Sequence, residues 1–139
     1  MPQLCAYLSF DGNCADAMRF YERALGAKLM ALITYGQSPV AEQTPPGNDD
    51  RVMHAYLVHD DFALMAGDAP AGQKHTGIQG VAMTLMYPTA AEARRVFGVL
   101  AEGGRIDVPL AETFWAEAYG ALTDRFGTPW FVNGGAKAM

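Results

Sequence analysis

The sequence has few cysteines, no cluster of basic residues and no long apolar stretch. Only two cysteines, Cys5 and Cys14, occur among its 139 residues, which excludes a disulfide framework and favours a reducing, cytoplasmic environment. The net charge of −5 disfavours nucleic acid as a partner, because phosphate binding needs clustered cations. No apolar run approaches the ~20 residues that span a bilayer, and the N-terminus does not resemble a signal peptide. We therefore expect neither a membrane nor a nucleic acid among its partners.

Sequence motifs of several enzyme classes are also missing. There is no glycine-rich loop of the Walker or dinucleotide-binding type, and no Gly-x-Ser-x-Gly nucleophile elbow. Half of the residues are hydrophobic, which at this length is enough for one buried core. We predict a single domain over residues 1–139.

The order of predicted secondary-structure elements occurs twice. In the first half, a strand at residues 4–10 precedes a helix that ends at Gly26. In the second half, a strand at residues 81–87 precedes a helix that ends at residues 103–104. The repeat predicts two copies of one β-α-β-β-β unit, because the same order of elements follows each first strand.

The predicted modules span residues 1–68 and 78–135, and residues 69–77 form the linker between them. The other predicted strands lie at residues 28–34, 52–58, 62–66, 105–110, 116–123 and 128–133. This arrangement predicts an α+β protein in which the two modules form curved mixed sheets around a cup.

Each predicted helix has a start signal and a buried stripe. Asn13 is the predicted cap of the first helix, and Thr89 with Glu92 forms a predicted capping box at the second. The stripes of apolar residues at helical spacing are Cys14, Ala17, Met18, Tyr21, Ala24 and Leu25 in the first helix, and Ala93, Val96, Phe97 and Leu100 in the second. Residues 35–50, rich in Gly and Pro, are predicted to be a long loop that governs access to the cup.

Short motifs along the chain resemble the vicinal oxygen chelate superfamily, and its PhnB-like group in particular. That superfamily includes glyoxalase I, bleomycin-resistance proteins, fosfomycin-resistance enzymes and extradiol dioxygenases. The motifs that carry the resemblance are Tyr7-Leu8-Ser9-Phe10, Gly12-Asn13-Cys14, Phe20-Tyr21, Leu25-Gly26-Ala27, Phe114-Trp115, Tyr119-Gly120, Asp124-Arg125-Phe126-Gly127 and Trp130. The resemblance implies paired β-α-β-β-β modules and a homodimer in which small and apolar strand faces are shared.

The resemblance also implies a divalent metal held by His and Glu on the first and last strands of each module. The corresponding positions fall near Ala6 or Tyr7, near Val81 or Ala82, and near Phe131. None of these side chains is an imidazole, a thiolate or a carboxylate, which are the usual ligands. We therefore predict no metal and no other cofactor.

Aromatic and titratable side chains supply the candidate site. The predicted pocket residues are Tyr7, His54, Tyr56, Trp115, Tyr119 and Trp130. The aromatic residues near the C-terminus suit a pocket, a dimer interface or an ordinary core equally well. His54 and Glu117 are the candidate catalytic groups, with a structural histidine and a solvated carboxylate as the alternatives.

Other polar residues have weaker claims to a function. His54 and His59 are placed five apart on one predicted strand, so they point to opposite faces and cannot share a metal. Cys14 is either a reactive thiol at a helix start or a small buried residue. Asp68 is either at the pocket rim or part of a turn.

The leading functional hypothesis is a PhnB-like, metal-free protein that binds a small organic molecule in the cup. One alternative is a metal-dependent lyase, transferase, dioxygenase or resistance-type enzyme with displaced ligands. A second alternative is a metal-free enzyme that uses His54, and a third is a protein whose dimer surface recruits partners.

Overall fold

The computed structural model describes residues 2–39, 41–43 and 46–138. The chain divides into two compact units, with the boundary between Gly77 and Ile78. The elements of the first unit are β1 (Ala6–Phe10), α1 (Cys14–Leu25), β2 (Lys28–Thr34), two short 3₁₀ turns (Tyr35–Gln37 and Ala41–Gln43), β3 (Val52–Val58) and β4 (Ala63–Asp68). The elements of the second unit are β5 (Met83–Tyr87), α2 (Ala90–Leu100), β6 (Arg105–Ala111), β7 (Ala116–Thr123) and β8 (Pro129–Ala136).

Each unit has one mixed sheet with the same topology. The strand order is β1-β4-β3-β2 in the first unit and β5-β8-β7-β6 in the second. The first strand of each unit pairs in parallel with the last, and the other pairs are antiparallel. The predicted α+β class with two β-α-β-β-β modules is confirmed.

One helix packs on one face of each sheet and supplies a large part of that unit's core. The buried residues of α1 are Cys14, Ala17, Met18, Phe20, Tyr21, Ala24 and Leu25, and those of α2 are Ala93, Val96, Phe97 and Leu100. Both predicted stripes are therefore confirmed, and Phe20 is buried in addition. Each large apolar side chain buried in this way contributes about 1.5–3 kcal/mol relative to its exposed state.

The first helix starts differently from the prediction. Asn13 occupies the predicted cap position, but its side chain makes no capping hydrogen bond. The backbone N–H of Cys14 donates instead to Oδ1 of Asp68, at 3.0 Å. Asp68 can reach the helix start because it ends β4 directly beside Phe10, the last residue of β1.

The second helix uses its local cap. Oγ1 of Thr89 accepts from the N–H of Glu92 at 3.2 Å, which is one of the two hydrogen bonds of the predicted capping box. The Thr89 hydroxyl also lies 3.2 Å from Oε1 of Glu92, to which it donates. In the second unit Gly134 occupies the position that corresponds to Asp68, because it pairs with Tyr87 at the end of β5.

Strand interiors match the prediction, whereas several strand ends do not. β5 begins at Met83 rather than at residue 81, and β8 continues to Ala136 rather than ending at residue 133. Two consecutive glycines such as Gly134 and Gly135 usually indicate the end of a strand, yet Gly134 pairs with Ala118 of β7. A Cβ at Gly134 would lie 2.5 Å from the carbonyl oxygen of Thr89, so only glycine lets β8 pass beneath the start of α2.

The loop at residues 35–50 is anchored at several points, although residues 40, 44 and 45 lie outside the described part. The N–H of Tyr35 donates to the carbonyl of Arg51 at 2.9 Å, which closes the loop at its base. Oδ1 of the buried Asn48 accepts from the N–H of Ala71 at 2.7 Å and joins the loop to the linker. Its predicted role in access stays a prediction.

Within the described ranges, no helix combines the length and the apolar character needed to cross a membrane.

Candidate functional site

Each sheet has a second face that its own helix does not cover, here called the helix-free face. Side chains alternate between faces along a strand, and paired residues share a face, so the pairing assigns each residue. The helix-free face of the first sheet carries Tyr7, Ser9, Ala31, Ile33, His54, Tyr56, Met65 and Gly67. The helix-free face of the second sheet carries Thr84, Met86, Val108, Glu117, Tyr119, Ala121, Phe131 and Asn133.

Three predicted pocket residues, Tyr7, His54 and Tyr56, lie together on the first of these faces. The rings of Tyr7 and His54 stack, with centroids 6.2 Å apart and an interplanar angle of 26°. The Tyr7 hydroxyl donates to the carbonyl of Met53 at 3.3 Å, so the ring lies across β4 to reach β3. A Cβ at Gly67 would lie 2.7 Å from the Tyr7 oxygen, which explains the glycine at this position.

The phenol of Tyr7 is a hydrogen-bond donor at neutral pH. Partial burial raises its pKa, and the nearby Cys14 and Tyr35 raise it further. Because the phenol has an ordinary pKa near 10, this upward shift keeps the proton on the oxygen that faces Met53.

His59 lies outside the strand that contains His54. β3 ends at Val58, so the prediction that both histidines share one strand is wrong. Nδ1 of His59 accepts from the N–H of Asp61 at 3.1 Å, and the ring stacks on Phe62 at 4.5 Å between centroids. His59 is therefore part of the β3–β4 turn.

The second sheet carries a continuous row of aromatic rings, Phe114, Trp115, Tyr119 and Phe131, here called the aromatic row. The centroid distances along it are 4.9 Å, 5.1 Å and 6.1 Å, with interplanar angles of 83°, 65° and 55°. Such edge-to-face and tilted contacts contribute about 0.5–1.5 kcal/mol each beyond area burial. The row is therefore held together by its own contacts before anything binds to it.

Asn133 is fixed beside the row by the Trp115 indole. Nε1 of Trp115 donates to Oδ1 of Asn133 at 2.9 Å. An indole N–H can only donate, so the amide oxygen has to face it, and the amino group lies on the other side of the amide. Asn133 pairs with Tyr119 across the β7–β8 ladder, which keeps it next to the row.

Trp130, by contrast, does not join the row. It is 1% exposed on the helix side of the second sheet, and its Nε1 donates to Oδ2 of Asp124 at 2.8 Å. Trp130 and Phe131 are neighbours on β8, so they point to opposite faces. Sequence reasoning did not place Phe131 or Asn133 in the pocket, because their proximity to Tyr119 depends on the pairing of β7 with β8.

The remaining candidates have defined structural positions. Glu117 is exposed on the same face as Tyr119, and its carboxylate lies next to Gly135. Asp68 is buried, and its two oxygens accept from the N–H groups of Gly12, Cys14 and Val52 at 2.8–3.0 Å.

Cys14 is a core residue rather than a reactive thiol. It is completely buried beneath the first sheet. Burial, followed by the neighbouring Asp68 charge, raises the pKa of its thiol to about 12. A thiol of this kind is uncharged at neutral pH and is a poor nucleophile.

The side chains at the expected metal positions do not fit a divalent ion. Tyr7 pairs with Met65, and Phe131 pairs with Thr84, whereas Val81 and Ala82 precede β5. None of these groups is an imidazole, a thiolate or a carboxylate. In the part of the chain that the structure describes, no three side chains of His, Cys, Asp and Glu gather into a metal-binding group.

Comparison with known proteins agrees with this fold. The chain belongs to the Glyoxalase/Bleomycin resistance protein/Dioxygenase superfamily, whose family model matches residues 4–132. The resemblance inferred from the sequence motifs is confirmed.

Particular relatives cover nearly the whole chain. The protein is 38% identical to Protein YjdN of Escherichia coli (strain K12), over 94% of this chain and 93% of that protein. It is 43% identical to the structure of protein PA1353 from Pseudomonas aeruginosa, with a TM-score of 0.90 over 96% of this chain and 98% of that one. A PhnB protein from Bacillus cereus, 23% identical, shares the fold with a TM-score of 0.79 over 96% and 99% of the two chains.

Proposed function

We propose that this protein binds a small planar aromatic molecule on the aromatic row of the second sheet, and that it does so without a metal. The row itself is the observation that carries the proposal. Phe131 is 41% exposed and Phe114 is 77% exposed, so large apolar rings of the row face outward. Exposed apolar side chains grouped on one surface are typical of binding sites.

The energetics favour a flat apolar ligand. Covering roughly 100 Å² of apolar surface contributes about 2.5 kcal/mol, and ring stacking adds to that. Because the rings of the row already contact one another, a ligand does not have to order them first. Prior ordering of this kind lowers the entropic cost of binding.

The two tryptophans provide an internal control for a binding experiment. Trp115 lies in the row, and Trp130 is buried on the opposite side of the same sheet. In ¹⁵N-labelled protein their indole N–H signals are separate reporters, since the chain has no other tryptophan. We propose titrating this protein with 2-acetylnaphthalene, a neutral planar probe.

The expected result is a saturable shift of the Trp115 indole signal, with the Trp130 signal unchanged. The Trp115→Phe variant lacks this reporter, so its affinity is measured by calorimetry beside the wild type. It should bind the probe about tenfold more weakly, because the indole surface and the hydrogen bond that anchors Asn133 are both lost. If neither indole signal moves, or if both move equally, the proposal is wrong.

The predicted homodimer competes for the same kind of surface. If the Trp115 indole signal shifts when the protein is diluted and does not shift when the probe is added, the row is a self-association surface. Sedimentation of the same samples separates the two outcomes, since only self-association changes the mass with protein concentration.

A proton-transfer role for His54 is the second candidate, and the stacked Tyr7 favours it because the pair presents a donor and an imidazole on one face. For any turnover that is found, His54→Ala should abolish it. Unchanged turnover would remove His54 from consideration.

A further inference from the structure

We infer that the aromatic row selects neutral aromatic compounds that carry a carbonyl oxygen, and that Asn133 is the residue that makes this selection. The inference rests on the proposed function and adds the chemical class of the ligand. It depends on the orientation of one side-chain amide and on the charge beside it.

The orientation of the Asn133 amide follows from its partner. Trp115 Nε1 donates to Oδ1 at 2.9 Å, which places the oxygen on the indole side. Among the described residues, no group accepts a hydrogen bond from the Asn133 amino group. Its two N–H donors are therefore available to a ligand on this face.

The position of Asn133 places these donors at the border of the row. It lies directly opposite Tyr119 on the neighbouring strand, two residues beyond Phe131 on β8. Side chains at such cross-strand positions have Cβ atoms about 5 Å apart. A ring stacked on Tyr119 or Phe131 can thus place a substituent oxygen over the amide, but a substituent N–H there would meet two more donors.

The charge on this face disfavours an anionic ligand. Glu117 is exposed on the same face, two residues before Tyr119 on β7 and next to Gly135. The whole chain also has a net charge of −5. A ligand carboxylate near Asn133 would therefore be repelled, whereas a ketone, amide or quinone oxygen is uncharged.

The test compares three naphthalene probes on the wild-type protein by the Trp115 indole shift. The probes are naphthalene, 2-acetylnaphthalene and 2-naphthoate, which share one ring system and differ in the oxygen group. We expect 2-acetylnaphthalene to bind about tenfold more tightly than the other two. Equal affinities for naphthalene and 2-acetylnaphthalene would overturn the inference, and so would tightest binding of 2-naphthoate.

Asn133→Asp is the matched variant, because a carboxylate keeps the acceptor for Trp115 and removes the N–H donors. Its affinity for 2-acetylnaphthalene should fall about tenfold, whereas its affinity for naphthalene should stay within about twofold of wild type. An equal loss for both probes, or no loss for either, contradicts a selecting role for Asn133.

A second variant, Glu117→Gln, tests the charge alone. It should raise the affinity for 2-naphthoate and leave that for naphthalene unchanged, and an unchanged affinity for 2-naphthoate would overturn the argument against anions. These results are distinct from failure of the proposed function, in which none of the three probes shifts the Trp115 signal.

Discussion

Asp68 shows how one residue can hold several segments of a small unit together. Oδ1 accepts from the N–H groups of Gly12 and Cys14, and Oδ2 accepts from the N–H of Val52. The carboxylate therefore joins the turn after β1, the start of α1 and the start of β3. Its negative charge also lies at the positive end of the helix dipole, which is favourable.

Replacing Asp68 by Asn tests this role. The amide can keep the two bonds at Oδ1, but its amino group then faces the N–H of Val52, a donor against a donor. We expect the free energy of unfolding to fall by about 1.5–3 kcal/mol. Urea unfolding followed by circular dichroism measures it, with Asp16→Asn, in the first turn of α1, as the control. A loss equal to that of the control would show that Asp68 has no such role.

The buried Cys14 thiol gives a second prediction at this scale. With a pKa of about 12, only roughly 10⁻⁴ of it is thiolate at pH 8. In a Cys5→Ser variant, Cys14 is the one remaining thiol, and we expect 5,5′-dithiobis(2-nitrobenzoate) to label it only after denaturant is added. Labelling of the folded protein at the rate of a free thiol would contradict the assignment of Cys14 to the core.

Residue-level features differ in how far the sequence determines them. The buried stripes of both helices follow from helical spacing, and the structure agrees with them. The cap of α1 could not be found in this way, because Asp68 is separated from Cys14 by 54 positions in sequence. Local capping rules consider only neighbours within a few residues.

At the scale of elements, the two units start equivalent helices by different means. The first unit uses the distant Asp68, whereas the second uses the local Thr89 and places Gly134 where Asp68 would be. A side chain at Gly134 would collide with the start of α2, so the glycine allows close packing. Topology is thus shared between the units, while the contacts that fix it are not.

The linker after β4 is attached to β1 by a histidine. Nδ1 of His75 accepts from the N–H of Gly77 at 3.3 Å, so the proton lies on Nε2, which donates to the carbonyl of Ser9 at 2.9 Å. Ser9 belongs to the outer strand of the first sheet. The imidazole therefore bridges this strand and the linker.

Loss of this bridge should loosen the linker. In His75→Ala, trypsin should cleave after the exposed Lys74 several-fold faster than in wild type. The linker of the variant can open without breaking the two hydrogen bonds of the imidazole, so the open form is more populated. Mass spectrometry of the fragments measures the rate, and His59→Ala, in the β3–β4 turn, is the control. Equal cleavage in the two variants would rule out an attachment by His75.

Strand boundaries show the limit of pattern reading at this scale. β2, β3 and β7 have the predicted ends, because their alternation or apolar content is clear. β8 continues through two glycines because β7 supplies partners and α2 lies above them. Such an extension depends on neighbouring elements, which a local pattern does not contain.

At the scale of the whole molecule, the internal repeat predicts the fold and says little about the chemistry. Membership in the superfamily follows from the fold and the family match. The expected metal positions, however, hold Ala6 or Tyr7, Val81 or Ala82, and Phe131. Strand pairing within each sheet sets the neighbours of Tyr7 and Phe131, so the sequence could identify these three positions only approximately.

The residues of the proposed ligand site are likewise brought together by strand pairing. Trp115 and Tyr119 were predicted from the sequence, but their connection to Phe131 and Asn133 runs across the β7–β8 ladder. The buried Trp130 shows the opposite case, in which an aromatic residue of a conspicuous motif belongs to the core. The face on which a residue lies therefore decides between a ligand role and a structural one.

The central claim is that this scaffold binds an aromatic molecule through its side chains rather than through a metal. Titration of 2-acetylnaphthalene into chelator-treated protein, with and without added nickel, zinc, manganese or iron, tests it most directly. We predict the same dissociation constant in every sample and a shift of the Trp115 indole signal in each. Binding that disappears after chelation and returns with one of these metals would contradict the account.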